Sequence, residues 1–363
     1  MKIGILTFHL AHNYGAVLQC FALQETLRGM GHDVKVVNYQ QPYVLEQFKP
    51  KRLMGVRSFV KAMFGGNLKQ YLYKGFLPYI KKHNFNAFRK CYLNESVKCY
   101  GTEDIPEFEL YIVGSDQPWN PDLTGGADLV YWGQFCRGKN TVLATYAMSG
   151  SLASIGRVGW DNVTRYCASF DFLSFREDSL KDKIAEVSKK TCVTSLDPTL
   201  LASADIWKPM INTKWSKRKY VLLYHVGGPV DVIETMTKEA QNIAAHENVD
   251  FIDLSRYLYS PSDFVSLIKY AQCIVTASFH AMVFSIIFKK PFVVVKTGQA
   301  SDVRFHSLLG KLHLENLCLK APGKISISRD IDYSQVDTLL DGIRIESMTY
   351  LKKITALCNH KDN

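Results

Sequence analysis

The sequence predicts two α/β domains, each built on a parallel sheet of Rossmann type. Three observations carry that expectation. The chain has 363 residues, and at roughly 150 residues per domain that suits about two. Short apolar runs alternate with helix-spaced stretches twice over, before and after a polar linker near residues 203–219. The chain also opens strand, turn, helix, strand, a βαβ unit whose crossover gives parallel pairing.

The elements follow in order. Residues 2–8 form a first apolar strand. Val17, Cys20, Phe21 and Leu27 recur at helical spacing, and Gly29 and Gly31 stop that helix. Residues 34–37 are the next strand, with further strands at 110–113, 141–146 and 172–175. After the basic stretch 215–219, residues 220–225 read as a strand, 232–245 as a helix and 249–254 as a strand. Ser260 is an N-cap, with Pro261 at the first helical position and Asp263 at the third. Residues 274–277 and 292–295 are strands flanking a helix that starts near Phe279, and 335–357 is one long helix expected to pack back on the first domain. The expected divisions are 1–203, 204–330 and 331–363, with a basic helical insertion at about 46–105.

Composition excludes several classes. An apolar content of 47% with 21% charge rules out wholesale disorder. The first apolar run is too short for a secretory leader. The uncharged stretch 270–288 holds Gln272, Thr276, Ser278, His280 and Ser285, so it reads as a buried strand, a turn and a buried helix rather than a membrane span. Nine cysteines without CxxC or zinc spacing point to free thiols in a reducing cytosol and to no metal. Nothing in the pattern sets an oligomeric state.

Charge is unevenly placed. Residues 49–100 hold twelve Lys/Arg and one acid, 12 − 1 = +11, against +10 for the whole chain. Aromatics are interleaved, among them Phe59, Phe64, Tyr71, Tyr79, Phe85 and Phe88. The segment carries no nucleic-acid reader motif, so nucleic acid is not expected as a partner. It reads two ways: an interfacial element for an anionic membrane, or a solvated arm whose rings pack on the first domain.

Four motifs sit at strand ends, where α/β sheets bind ligands. In the first, His9, His12, Asn13, Tyr14, Gly15 and Gln19 span the turn into the first helix. Asn13 serves there as a cap or a ligand contact, and Gly15 permits close backbone approach. In the second, Asp116, Gln117, Trp119 and Asn120 offer a carboxylate, two amides and an indole. That set suits a polyhydroxylated ligand, or else an Asx-type turn with a buried tryptophan. In the third, Arg176 follows a strand and forms either an anion clamp or an ion pair with Glu177 or Asp178. In the fourth, His280 lies in the first turn of a helix, where anions are favoured and an imidazole can exchange protons near neutral pH; the alternative is a satisfied core histidine.

Taken in order, these motifs and the stretch Leu196-Asp197-Pro198-Thr199-Leu200 resemble the polysaccharide pyruvyl transferases over residues 1 to about 310, most weakly at 49–100. The resemblance implies a GT-B-like fold and transfer of a carboxyethylidene group from phosphoenolpyruvate to sugar hydroxyls of a cell-surface glycan, with no cofactor. It implies acceptor binding by His9, Asn13, Tyr14, Gly15, Asp116, Gln117, Trp119 and Asn120. Donor binding would fall to Arg176, Ser278 and His280, with His280 as general acid/base. Many members carry arginine two residues before the motif histidine; here that place is Ser278, which makes Arg304 and Lys296 the candidate replacement cations, ordinary surface charge being the alternative for each. The resemblance also admits a polyprenyl-phosphate-linked acceptor at the inner face of a membrane. The rival functions are a GT-B glycosyltransferase using a nucleotide-sugar and a glycan-binding protein that has lost its donor.

Overall fold

The computed structural model describes residues 1–49, 63, 68–256, 259–299, 302–320 and 323–358. Two sheets organise them. The first comprises β1 (Lys2–Leu6), β2 (Asp33–Tyr39), β3 (Glu95–Cys99), β4 (Leu110–Asp116), β5 (Val142–Met148), β6 (Leu173–Phe175) and β7 (Cys192–Thr194), in the order β3-β2-β1-β4-β5-β6-β7. The second comprises β8 (Tyr220–His225), β9 (Asp250–Asp253), β10 (Cys273–Ala277), β11 (Phe292–Val295) and β12 (Cys318–Leu319), in the order β12-β11-β10-β8-β9. Every pairing in both is parallel. A parallel sheet is covered by helices on both faces, so its central strands are continuously apolar. Accordingly, every residue of β4 and β5 is buried. These are the two Rossmann-like domains that the periodicity predicted.

The helices that position the cleft are α1 (Tyr14–Gly29), α2 (Leu68–Tyr92), α3 (Val230–Glu247), α4 (Pro261–Tyr270), α5 (Phe279–Ile287), α6 (Val303–Lys311) and α7 (Tyr333–Cys358). Their ends follow local chemistry. The Asn13 side chain caps α1 by accepting from the Gly15 and Ala16 amides. Ser260 and Asp263 form a capping box on α4 with Pro261 at its start. The long α7 begins against the second domain, where the Tyr333 hydroxyl donates to the Lys290 carbonyl. It ends on the first, where Tyr350, Leu351 and Ile354 join the apolar cluster of Ile3, Ile5 and Val34. No helix among the described residues is long and apolar enough to cross a membrane.

The basic segment takes a more definite form than an insertion. Its helix α2 is the crossover between β2 and β3, and residues 95–99, read in the sequence only as part of the basic arm, form the edge strand of the first sheet. Phe85 and Phe88 on α2 are buried against the core. Lys51, Arg52, Arg57, Phe59, Lys61 and Phe64 lie outside the described residues.

The two domains meet through aromatic rings. Tyr14 of α1 stacks on Phe264 of α4 at 4.7 Å between centroids and on Phe85 of α2 at 5.3 Å. Its hydroxyl donates to the Tyr259 carbonyl at 2.9 Å.

Candidate active site

In an open parallel sheet, ligands bind beyond the carboxyl ends of the strands, where neighbouring connections diverge to opposite faces. That point lies between β1 and β4 in the first sheet and between β10 and β8 in the second. The two points face each other across a cleft of about 380 Å³. Phe8 and Asn13 line it after β1, Asp116, Gln117 and Asn120 at and after β4, Val226 and Gly227 after β8, and Ser278 and His280 after β10. A larger groove of about 830 Å³ runs between β7 and α7, but its lysines are already engaged. Lys190 donates to two backbone carbonyls, Lys311 pairs with Asp178, and Lys353 lies over Phe172.

His280 is the second residue of α5, whose N-cap is Ser278; the Ser278 hydroxyl accepts from the Ala281 amide at 3.5 Å. At this position serine therefore has a local task, holding the turn that aims His280. The imidazole spans the domain interface. Its Nε2 lies 3.4 Å from Oδ2 of Asp197, an ion-pair distance without hydrogen-bond geometry. Its other side rests on α1: a Cβ on Gly15 would fall 1.9 Å from Nδ1. Gly15 thus serves close approach as the sequence suggested, but what approaches is the histidine ring.

Asp197 lies in the stretch Leu196-Asp197-Pro198-Thr199-Leu200, where the sequence alone gives it no chemical role. It caps the short helix Pro198–Leu201, its Oδ1 accepting from the Thr199 amide at 2.9 Å. Its Oδ2 lies 2.7 Å from Nη2 of Arg176. Burial works to raise this carboxyl, and Arg176 with His280 outweighs it, holding Asp197 well below the usual carboxylate range. Asp197 and His280 stand 83 residues apart, so only the fold brings them together.

Arg176 is not on the wall of the large cleft. It sits one layer behind, in a hole of about 20 Å³ shared with Glu177 and Asp197, room for about one water. Nη2 also donates to Ser115 Oγ at 2.6 Å, and the guanidinium lies 4.9 Å from the Phe279 ring centroid. Its carboxylate partner is Asp197, not Glu177 or Asp178. Arg304, at the start of α6, does line the cleft, with its guanidinium 5.9 Å from the same ring centroid. Burial lowers the Arg304 guanidinium from its usual value, and Asp116 opposes that shift. Lys296 is half-buried at the end of β11, outside the residues lining the cleft.

The acceptor candidates divide. Asn13, Asp116, Gln117 and Asn120 line the cleft. His9, Tyr14 and Trp119 do not. His9 is fully buried between the Thr7 carbonyl and Asn38 Oδ1, and burial lowers its pKa. Tyr14 is consumed by the domain contact. Trp119 stacks on Trp132 at 4.1 Å and donates its indole N–H to the Tyr131 carbonyl, so neither face nor edge is open to a sugar ring. For Trp119 the buried-tryptophan alternative is the one realised. His12 also packs inward, stacked on Phe85, with burial and Lys81 pushing its pKa down to about 4.

The two Rossmann-like domains thus enclose a polar cleft between the carboxyl ends of their strands. Residues 13–298 match the polysaccharide pyruvyl transferase family, and the chain belongs to it. No curated protein matches the sequence. Among solved structures the chain is similar to a protein described as a UDP-N-acetylglucosamine 2-epimerase from Listeria monocytogenes, at 11% identity and TM-score 0.47 over 94% of this chain and 88% of that one. It is also similar to the glycosyltransferase SnogD from Streptomyces nogalater, at 12% identity and TM-score 0.44 over 99% of each chain. The E. coli heptosyltransferase WaaC with ADP gives 12% identity and TM-score 0.40 over 94% of this chain and all (100%) of that one. Likenesses of this size carry no argument about the chemistry of this chain.

Proposed function

We propose that this transferase moves a carboxyethylidene group from phosphoenolpyruvate onto two hydroxyls of one sugar in a polysaccharide precursor. The observation that supports it best is the contact of one buried carboxylate, Asp197, with both His280 and Arg176 beside a cleft that Arg304 lines. His280 gives a proton to C3 of the enol, which makes C2 oxocarbenium-like. One sugar hydroxyl attacks C2, the C2–O bond to phosphate breaks, and the second hydroxyl closes the ketal. Two hydroxyl protons are released; one restores the proton spent at C3 and the other leaves with phosphate. Asp197 faces the ring at Nε2, 3.4 Å away, and the Gly15 backbone holds its other side. Arg304 holds the donor's anionic groups. Asn13, Asp116, Gln117 and Asn120 bind the acceptor.

Phosphate release from phosphoenolpyruvate, with galactose- and mannose-type acceptors, tests the reading. Turnover with nucleotide-sugars alone would replace it with glycosyl transfer, and no donor binding by calorimetry would leave a glycan-binding protein. If Arg304 is the donor cation, Arg304→Ala should weaken phosphoenolpyruvate binding by about tenfold or more, because a charge-assisted contact is lost. Acceptor affinity should change far less, and equal donor affinity in variant and parent would remove Arg304 from this role.

The same reading extends to an acceptor held at an anionic membrane. The short helix Pro42–Gln47 places Val44 in the cleft wall and leaves Tyr43 and Leu45 exposed. Met63, Tyr79 and Ile80 are exposed nearby in sequence, with exposed Lys49, Lys82, Lys90 and Lys98. Each lysine near a lipid surface contributes about 1 kcal/mol. The protein should pellet with anionic but not neutral vesicles, and binding should fade with salt. Charge reversal belongs at Lys82, Lys90 and Lys98. Arg89 is unsuitable because it pairs with Glu95 at 2.6 Å, and so is Lys81, which lies over Phe48 and is lowered to about 8 by burial. Equal pelleting by the reversed variant would leave the segment as scaffold.

A further inference from the structure

We propose that Asp116 is a catalytic base, taking the proton from the sugar hydroxyl that attacks C2 while His280 protonates C3. The proposal rests on the pyruvyl-transfer reading above and gives Asp116 a task beyond holding the acceptor.

The chemistry asks for two proton-exchanging groups. Adding a hydroxyl across the C2–C3 double bond puts one proton on C3 while another leaves the attacking oxygen. His280, from the second domain, already serves C3. On the first-domain wall of the cleft, Asn13, Gln117 and Asn120 are amides, which form hydrogen bonds but take up no proton. Two acids share that wall, Asp116 and Asp122. Asp122 is exposed and pairs with Arg157.

Asp116 differs. It ends β4 and is only 8% exposed, yet its side chain has no hydrogen-bond or ion-pair partner among the described residues. Neither carboxylate oxygen is sealed in the interior, and the cavity that Asp116 lines is the interdomain cleft. A nearly buried carboxylate without a donor is unfavourable, and a hydroxyl of a bound sugar supplies one. The backbone there is held in place, with the Ser149 amide donating to the Asp116 carbonyl at 2.7 Å. Acid and base thus come from opposite domains, and the base stands on the wall that carries the acceptor amides.

The protons balance. The first hydroxyl oxygen bonds to C2 and its proton passes to Asp116, while His280 gives its own to C3. The C2–O bond to phosphate then breaks with its electron pair on phosphate, which takes the proton from Asp116. The second hydroxyl bonds to C2 and returns a proton to His280. Both side chains end as they began, and the products are the ketal and hydrogen phosphate.

The test is phosphate release by Asp116→Asn and Asp116→Gly, with and without added formate. Asp116 has a φ of 71°, which asparagine and glycine both tolerate, so the variants suit the native backbone. Asp116→Asn should lower kcat by about 10²–10⁴-fold, the worth of a positioned proton-transfer group. Its KM for the acceptor should change less than about tenfold, because an amide oxygen still accepts from the hydroxyl. In Asp116→Gly, formate supplies a free carboxylate in the space left by the side chain. It should raise turnover there in a saturable way and leave the parent unchanged, which a merely structural residue would not do. Near-parental kcat in Asp116→Asn overturns the proposal and leaves Asp116 as an acceptor contact. A slow, folded Asp116→Gly that formate does not revive overturns it as well; if that variant fails to fold, kcat of Asp116→Asn decides alone. A parent that releases phosphate with no acceptor brings down the pyruvyl-transfer reading itself, and the base with it.

Discussion

Replacing His280 with alanine should lower phosphate release from phosphoenolpyruvate by about 10²–10⁴-fold while leaving the fold intact, because a positioned proton-transfer group contributes that much. His280→Gln should be nearly as damaging, since an amide keeps polarity but cannot exchange the proton. The contact with Gly15 gives a companion variant that leaves the histidine in place. In Gly15→Ala the new methyl would stand 1.9 Å from Nδ1, so the ring or the start of α1 must shift. Displacement of about 1 Å at a reacting group costs roughly 10²-fold. The expected pattern is therefore a large fall in kcat in all three variants with donor affinity preserved. Near-parental turnover in both histidine variants would sink the assignment, whatever Gly15→Ala does.

Asp197→Asn should destabilise the protein by about 3–5 kcal/mol, since it leaves the buried Arg176 guanidinium without its counter-charge. The amide still caps Thr199, so the loss reports the ion pair rather than the helix start. Urea unfolding would show it as a lower midpoint at an unchanged slope. The pH dependence has a definite sign. The native Asp197 carboxyl lies below its usual value near 3.8, so its contribution is complete above that pH and declines as pH falls further. The gap between parent and variant should accordingly narrow in acid. A difference under about 1 kcal/mol at neutral pH would mean that Arg176 finds other partners.

The sequence reveals the frame better than the edges. The strands at 220–225 and 292–295 and the capping box at Ser260 appear where spacing and cap chemistry put them. The missed strands are edges or short pieces: β3 with Glu95, Ser96 and Lys98, the three-residue β7 and the two-residue β12. Half-exposed edge strands need no apolar alternation, so they leave little signal. At the site, Asp116, Gln117, Ser278 and His280 were visible because strand ends are where ligands bind. What stayed hidden depends on distant partners. Trp119 reads as a sugar platform until Trp132 covers it, and Asp197 reads as a cap until His280 arrives from the other domain.

The rings of Tyr14, Phe85 and Phe264 bear on how this protein can move. A clamshell that opened wide for each turnover would have to unstack Tyr14 from both neighbours and strip its hydroxyl from the Tyr259 carbonyl. Each aromatic pair contributes about 0.5–1.5 kcal/mol beyond its buried area, and the hydrogen bond adds about 1. The halves are therefore riveted at one end of the seam. Admission of substrates and release of products fall to the mouth of the cleft, whose lining includes Gln47 and Phe48 from the first domain and Val226 and Gln299 from the second. Such a molecule recognises its acceptor as a fixed mould, and changes in its selectivity should come from side chains at that mouth rather than from the angle between the domains.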